Sequence, residues 1–584
     1  MIDVDALINH NFYKNNDTNK AIARLASLVL KKLVHQDEIN QFIKTNRHLE
    51  GFEFNDAVLE YFQFTFRVSG KDRLHIPDHG RVIIVANHPL GSLDGLALLK
   101  MVSEIRTDVS IVATTILSNI EPLQGLLHSI DNTAKKTNHR RSMHEIVGAL
   151  EDERAVIMFP TGEVSRIRPS GVRDGKWKTG FLYLAKKAHA PIVPVHIEGK
   201  NSTLFYGLSS IYKPLGTMML VNEMFNKVNG EISIRIGKPV PWEAIAEMAM
   251  PKKDIAKMMR KQVYLIGKKK KTQLFRVIEN VIHPAKTQLI NKELKASELI
   301  GTTHDGKRIY LFDYRQNSHV MREIGRLREL SFRQVREGTG NPLDIDAYDR
   351  YYRHLILWDE EELEIVGSYR IGEVGSILHE NGLNGLYAHS LFKFGKDLFP
   401  YLKESIELGR SFVQPRYQGK RSLDYLWYGI GAYLQKRPEI KYMYGPVSLS
   451  NAFPGETKNM IASFYSSLFG NEKELVQPRS PFVFTQDEDF SAYRGVSDES
   501  EYRKAFSVLK EKLANFGVRV PTLYKQYVEL CEPGGCEFLA FNIDKDFSDC
   551  IDALVMVHVD AIREKKRQRY ISHHRLDLVD QDAA

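Results

Sequence analysis

The run Val82-Ile83-Ile84-Val85-Ala86 constrains this chain more than any other segment. Its residues are apolar and largely β-branched, the composition of a strand. Asn87-His88-Pro89-Leu90-Gly91 follows as a turn, and Ser92-Leu93-Asp94-Gly95 leads into helical spacing at Leu96-Ala97-Leu98-Leu99. A strand ending in this way delivers His88 to the rim of a sheet, where ligands of α/β folds bind. Asp94, six positions on, supplies a carboxylate that can orient an imidazole and stabilise its protonated form. No serine or cysteine stands in a nucleophile-elbow setting beside them. The pair therefore predicts a general base acting on a substrate hydroxyl, not a covalent enzyme.

The same alternation continues downstream. Strands are expected over 82–86, 109–115, 155–159, 191–197 and 232–236, with helices over 96–104, 143–151 and 179–188, which defines an α/β domain with a mostly parallel sheet at 66–240. Residues 1–65 read as a helical segment, with apolar residues at helical spacing in 21–34 and 56–66. Residues 241–300 leave the alternation, become basic and read as a helical connector. A second α/β domain is assigned to 301–560, with strands at 310–314, 355–358, 363–371, 405–414 and 443–447 and helices at 321–337 and 424–436. Residues 561–584 form a polar tail. A chain of 584 residues exceeds what one core organises, in keeping with two domains.

Apolar residues make up 43% and charged residues 26%, which excludes a largely disordered chain. Cys531, Cys536 and Cys550 have no metal-ligand spacing and read as ordinary reduced thiols, so no metal is expected. The first ten residues carry acids where a signal peptide needs bases, and no run approaches the roughly 18 apolar residues that span a bilayer. A cytoplasmic protein, peripheral on the inner face of the membrane, is expected. The net charge of +8 is uneven: Lys252 to Arg276 holds ten Lys/Arg and one acid, Asp254. Apolar residues at Leu265-Ile266 and Leu274-Phe275 flank its Lys268–Lys271 run. This composition suits an anionic membrane surface or an acidic carrier protein. No nucleic-acid motif accompanies it.

Three further segments of the first domain carry polar chemistry: Lys135 to Arg141, with Arg140 and Arg141; Met158-Phe159-Pro160-Thr161-Gly162-Glu163-Val164-Ser165-Arg166; and Pro191 to Glu198, centred on Pro194. With Asn87-His88 and Asp94, these resemble the four blocks of the glycerophosphate/lysophosphatidate acyltransferase superfamily. The resemblance covers about residues 60–240. It implies that His88 deprotonates the acceptor hydroxyl and Asp94 holds it. It also implies that Asn87, Arg140, Arg141, Gly162, Glu163, Arg166 and Pro194 line the acceptor site. Two departures stand out. Five residues, where the family has four, separate His88 from Asp94, an insertion that turns a helical residue by about 100° unless the Pro89–Gly91 turn absorbs it. Thr161 replaces the usual Glu of the third block, with Glu163 displaced, which moves the expected acceptor from lysophosphatidate toward an aminolipid hydroxyl.

In the second domain, Ser405 to Arg421 reads as a strand, a basic glycine-containing turn and a helix start, where amides can bind pyrophosphate. The order Arg326 to Arg333, Asp344 to Asp349, Val366 to Arg370, Glu407 and Arg410 resembles the carrier-protein-dependent branch of the GNAT N-acyltransferases, over about 320–450. The resemblance implies Glu407 as base, directly or through water, for an amino-acid amine, Arg370 and Arg410 either at the substrate carboxylate or supporting the acidic cluster, and Arg416, Gly419, Lys420 and Arg421 at the donor's phosphopantetheine.

Together the two resemble the bifunctional ornithine-lipid synthases. The expected activity is N-acylation of ornithine with a 3-hydroxyacyl group, then O-acylation of that hydroxyl. The expected donors are thioesters of acyl-carrier protein or coenzyme A, with no bound cofactor. The partners are the carrier protein, an anionic membrane, and lipid and amino-acid substrates. The alternatives are phosphatidate formation, a glycine acceptor, or a non-catalytic membrane- or carrier-binding module.

Overall fold

Five buried residues, Val82–Ala86, form the central strand of the first of two sheets. The structure, a computed structural model, describes residues 35–114, 120–130, 136–169, 171–211, 213–270, 272–485, 490 and 499–572, divided into units Met1–Asn280 and Val281–Ala584. The helix expected over 21–34 lies outside the described residues.

In the first unit the sheet strands are β1 (Thr65–Arg67), β2 (Val82–Ala86), β3 (Val109–Thr114), β4 (Leu127–Ile130), β5 (Ala155–Met158), β8 (Ile192–Glu198) and β9 (Glu231–Ile236). A separate hairpin joins β6 (Arg166–Arg168) to β7 (Gly171–Arg173). The sheet order is β1-β9-β8-β2-β5-β3-β4, and every neighbouring pair except β8–β9 is parallel.

Alternate residues of β2 enter different cores. Val82, Ile84 and Ala86 pack with helix α2 (Ser92–Ser103), while Ile83 and Val85 face α3 (Lys136–Glu151) and α4 (Gly180–Ala188). Helices covering both faces explain why the strand is apolar throughout.

One expectation is corrected here. Helix α1 (Gly51–Tyr61) stops short of the expected 56–66: Gln63 adopts φ 46°, Phe62 and Phe64 enter the core, and Thr65–Arg67 pairs with β9 as strand. The basic stretch after 240, expected to be helical, does contain a helix. Its helix α5 (Lys252–Gly267) buries Ile255, Ala256, Met259 and Val263 in the first unit's core.

The second unit carries β10 (Glu298–Thr302), β11 (Arg308–Phe312), β12 (Arg353–Asp359), β13 (Glu364–Glu373), β15 (Ser405–Val413), β16 (Tyr442–Leu449), β18 (Cys536–Asp544) and β19 (Cys550–His558), with β14 (Phe392–Phe394) and β17 (Val476–Pro478) paired apart. The sheet order is β10-β11-β12-β13-β15-β16-β19-β18. Helix α6 (His319–Gln334) covers Tyr310, Phe312, Ile356 and Trp358, and α7 (Ser422–Lys436) covers Ile309, Leu311, Leu355 and Leu357 on the other face. Among the described strands of this sheet only β15 and β16 pair in parallel, and their ladder ends at Glu407 opposite Tyr444. Beyond that pair, β15 continues against β13 and β16 against β19, which opens the sheet in the middle.

Candidate active sites

Past Ala86, the buried Asn87 side chain takes over from the backbone. Its Nδ2 donates to the Ile197 carbonyl at 2.8 Å, and its Oδ1 accepts from the Ile197 N–H at 2.7 Å. This extends the β2–β8 pairing by one residue and fixes where His88 begins. The chain then reverses at Gly91, whose φ of 106° suits glycine. A Cβ there would also meet Leu220 Cδ2 at 3.2 Å. Asn201 Nδ2 holds the turn by the carbonyls of Pro89 and Leu90, at 3.3 and 3.4 Å. The turn absorbs the additional residue.

Asp94, fully buried in the first turn of α2, accepts from the Leu90 and Gly95 N–H groups, each at 2.9 Å. Its Oδ2 lies 3.2 Å from His88 Nδ1, an ion-pair contact off the hydrogen-bonding direction. The imidazole stacks on Phe159 with centroids 4.1 Å apart. Nδ1 is buried while the side chain stays 19% exposed, so the open edge is the Nε2 side. Burial disfavours the imidazolium, but the charge and contact of Asp94, and the charge of Asp174, outweigh it and hold the His88 pKa above the ordinary histidine value.

Asp174 was not singled out from sequence, and nothing local in Arg173-Asp174-Gly175 marks it. Its Oδ1 accepts from the His88 N–H at 3.2 Å and the Ser165 hydroxyl at 2.5 Å, and its Oδ2 from Trp177 Nε1 at 2.8 Å. Burial raises its pKa against the pull of these donors.

The Phe159–Ser165 segment shares this rim, since Ser165 N–H donates to the His88 carbonyl at 2.7 Å. Gly162 has φ 65°, and a Cβ on it would sit 3.1 Å from Lys178 Nζ. Thr161 is buried and Glu163 exposed. Arg166 Nη1 donates to the Ser209 carbonyl at 3.3 Å, and its Nε lies 3.8 Å from Glu163 Oε2.

Other predicted residues lie elsewhere. Pro194 is buried inside β8 opposite Val85, three residues or about 10 Å along the strand from His88. Its place is in the sheet core, not at the rim. Arg140 and Arg141 are exposed on α3; Arg141 pairs with Glu145 at 3.2 Å, and no described contact links either to His88. Residues 131–135, including Lys135, lie outside the described residues.

In the second unit Glu407 is buried. Its Oε2 accepts from the Tyr352 hydroxyl at 2.5 Å and its Oε1 from the Ala388 N–H at 2.6 Å, while the Tyr387 N–H donates to the Tyr352 oxygen at 3.0 Å. Burial pushes the Glu407 pKa up, opposed by these hydrogen bonds. Both oxygens are occupied, so Glu407 connects to its surroundings through Tyr352.

Arg370 Nη1 donates to Asp346 at 2.6 Å and Asp349 at 3.3 Å, and the guanidinium lies over Tyr348, Tyr352 and Tyr387 at 5.7, 5.1 and 5.2 Å. Among the described residues its buried Nε and Nη2 have no hydrogen-bond partner. Arg410, with φ 51° at a bulge between β13 and β15, donates to the Tyr387 hydroxyl and to Asp346, both at 3.2 Å. The structure thus unites Glu407, Arg370 and Arg410 in one polar cluster. Tyr352 and Tyr387, which sequence reading missed, are its links.

At the expected donor turn, Gly419 has φ 74°, and Lys420 and Arg421 are exposed at the N-terminus of α7. Arg416 is engaged differently, paired with Glu362 at 2.5 Å and Glu364 at 2.9 Å.

A mostly parallel unit with a strand-end His–Asp pair, joined in one chain to a unit whose sheet opens between parallel strands, defines a two-part acyltransferase. Residues 13–275 match an acyltransferase family model, and 327–428 match the acetyltransferase (GNAT) domain. Three curated relatives are informative. A glycine N(alpha)-acyltransferase of Bacteroides thetaiotaomicron is 33% identical over 50% of this chain and 90% of its own. A lyso-glycine lipid O-acyltransferase of the same organism is 33% identical over 43% of this chain and 92% of its own. An L-ornithine N(alpha)-acyltransferase of Rhizobium meliloti is 31% identical over 25% of this chain and 49% of its own. The chain belongs to the bifunctional amino-acid lipid synthase family. It is an enzyme that transfers acyl groups.

Proposed function

We propose that the chain builds a two-chain amino-acid lipid in successive steps. In the second unit, an amino-acid amine attacks the carbonyl of a 3-hydroxyacyl thioester. The C–N bond forms, the C–S bond breaks and the thiol leaves. Arg370 and Arg410 hold the amino-acid carboxylate, in keeping with the two unpartnered donors of Arg370. Glu407 draws the amine proton through Tyr352. In the first unit, His88 Nε2 takes the proton of the new 3-hydroxyl as its oxygen attacks a second acyl thioester; the C–O bond forms, the C–S bond breaks and the sulfur leaves as thiol with that proton, and Asp94 stabilises the imidazolium in between. Asn87 sets the position of His88, and Gly162, Glu163 and Arg166 line the acceptor side. Lys420 and Arg421, with the amide end of α7, meet the donor phosphates of a carrier protein or coenzyme A. The enzyme works on a membrane face.

The observation carrying this reading is the His88–Asp94 contact at 3.2 Å in a chain similar to both an O-acyl and an N-acyl transferase. Glycine is the acceptor that the relatives with fuller coverage favour. Ornithine is favoured by the buried carboxyls of Asp544 and Asp552 near Arg410. Burial and neighbouring acids hold Asp552 well above the usual carboxylate range, and a second ammonium would relieve that.

Mass spectrometry of lipids from a host expressing wild type, His88→Ala and Glu407→Ala, fed isotope-labelled glycine or ornithine, tests the proposal. Wild type yields a two-chain product carrying one of the labels, His88→Ala a one-chain form, and Glu407→Ala neither. A two-chain product from His88→Ala would refute it.

A further inference from the structure

We propose that Asp174 is a positioning residue for His88, clamping the His88 turn to the turn that ends in Ser165; this rests on the reading of His88 as the base of O-acyl transfer. The His88 backbone is gripped at both ends. Its N–H donates to Asp174 Oδ1 at 3.2 Å, and its carbonyl accepts from Ser165 N–H at 2.7 Å. The Ser165 hydroxyl, 2.5 Å from the same Oδ1, closes the ring.

Asp174 is itself fixed. Trp177 Nε1 donates to Oδ2 at 2.8 Å, the Asp174 N–H donates to the Tyr264 hydroxyl at 2.8 Å, and Arg260 Nη1 donates to the Asp174 carbonyl at 3.2 Å. Tyr264 and Arg260 belong to α5, so that helix braces the rim.

Three donors converge on two oxygens that must both accept, a demand that carboxylate meets and carboxamide does not. A His88–Asp94 spacing one residue longer than the family pattern leaves the turn more freedom, which this second anchor removes. Two buried carboxylates also lie close to His88: Asp94 from α2 against the ring, and Asp174, from the segment after β7, at the backbone N–H, while Phe159, the residue after β5, stacks on the ring. Arg260 meets Asp174 through its carbonyl, and Arg173 lies over Tyr264 at 5.0 Å. The imidazolium that forms during transfer thus has two negative charges near it, and both raise the His88 pKa.

In Asp174→Asn, Oδ1 can still take its two donors, but the new amide N–H would face Trp177 Nε1–H. Adding Trp177→Phe removes that clash, so the double variant isolates the charge, with Trp177→Phe as its control. The His88 titration is followed by NMR in isotope-labelled full-length protein, a readout that needs no substrate. The His88 midpoint moves to lower pH in the double variant, and the acid limb of kcat/KM for O-acylation moves with it. Ser165→Ala keeps the charge and the midpoint but loosens the clamp, lowering kcat by about tenfold. A folded double variant with the control's midpoint, or Ser165→Ala with kcat within about twofold of wild type, would overturn the proposal. A midpoint shift with no O-acyl activity in any form would refute the function assigned to His88 and leave Asp174 as its anchor.

Discussion

Asn87 and Ile197 exchange two hydrogen bonds, at 2.8 and 2.7 Å, as paired strand residues do, yet on one side both come from a side chain. The amide lets the backbone of residue 87 turn away while the sheet stays paired. Replacement by alanine leaves the buried Ile197 N–H and C=O unpaired. Each such group costs about 1–3 kcal/mol, so Asn87→Ala lowers the urea midpoint of the first unit and releases the His88 turn. The outcome is checked by chemical denaturation alongside O-acylation; unchanged stability would mean the pairing contributes nothing.

His88 must be neutral to accept a proton, and its neighbours hold its pKa above the ordinary value. O-acylation therefore falls as pH drops through a midpoint above about 6.5. Asp94→Asn removes the larger of the two neighbouring charges, so the acid limb moves to lower pH while the plateau falls by about 10²–10⁴-fold. The pH profile of kcat/KM for the O-acyl step checks the sign; a limb that stays in place would separate Asp94 from the titration.

The strand at Val82–Ala86, the alternation after it and the His88–Asp94 pair were legible because each is written in adjacent residues. Even the longer spacing pointed to its own solution, a turn at Pro89–Gly91, and Gly91 supplies the required φ. Short strands such as Leu127–Ile130 were not legible, because a four-residue run with His128 and Ser129 has no distinct period. The opening of the sheet beyond Glu407 and Tyr444 was also hidden, since it depends on which distant strands continue the ladder. Asp174 and Tyr352 acquire meaning only through partners 86 and 55 residues away. Pro194 was read as a site residue from its motif, but an apolar strand position says nothing of its distance from the rim.

Glu407→Gln preserves shape and removes the carboxylate that accepts from both Tyr352 and Ala388. One amide N–H then faces a donor, so stability drops by about 1–3 kcal/mol, and N-acylation is lost. Tyr352→Phe spares the carboxylate and removes the link to the surroundings. It lowers kcat of the N-acyl step more than KM if the proton passes through that hydroxyl. Steady-state kinetics with a defined acyl thioester decide it; full activity in Tyr352→Phe would place the proton path elsewhere.

Helix α5 divides its residues sharply. Ile255, Ala256, Met259 and Val263 are buried, whereas Lys253, Lys257 and Lys261 are exposed on the opposite side and Lys252 is exposed at the helix start. Among the described residues no helix is long and apolar enough to cross a membrane. Each lysine near an anionic leaflet contributes about 1 kcal/mol, screened over roughly 8 Å at physiological salt. Changing all four to glutamate therefore weakens binding to vesicles containing anionic lipid by more than about tenfold, with little change in thermal stability because the side chains are solvated. Vesicle co-sedimentation at two salt concentrations reads the effect. Neutral vesicles, which lack the attracting charge, are bound equally by both forms, and an unchanged affinity for anionic vesicles would assign membrane contact to another face.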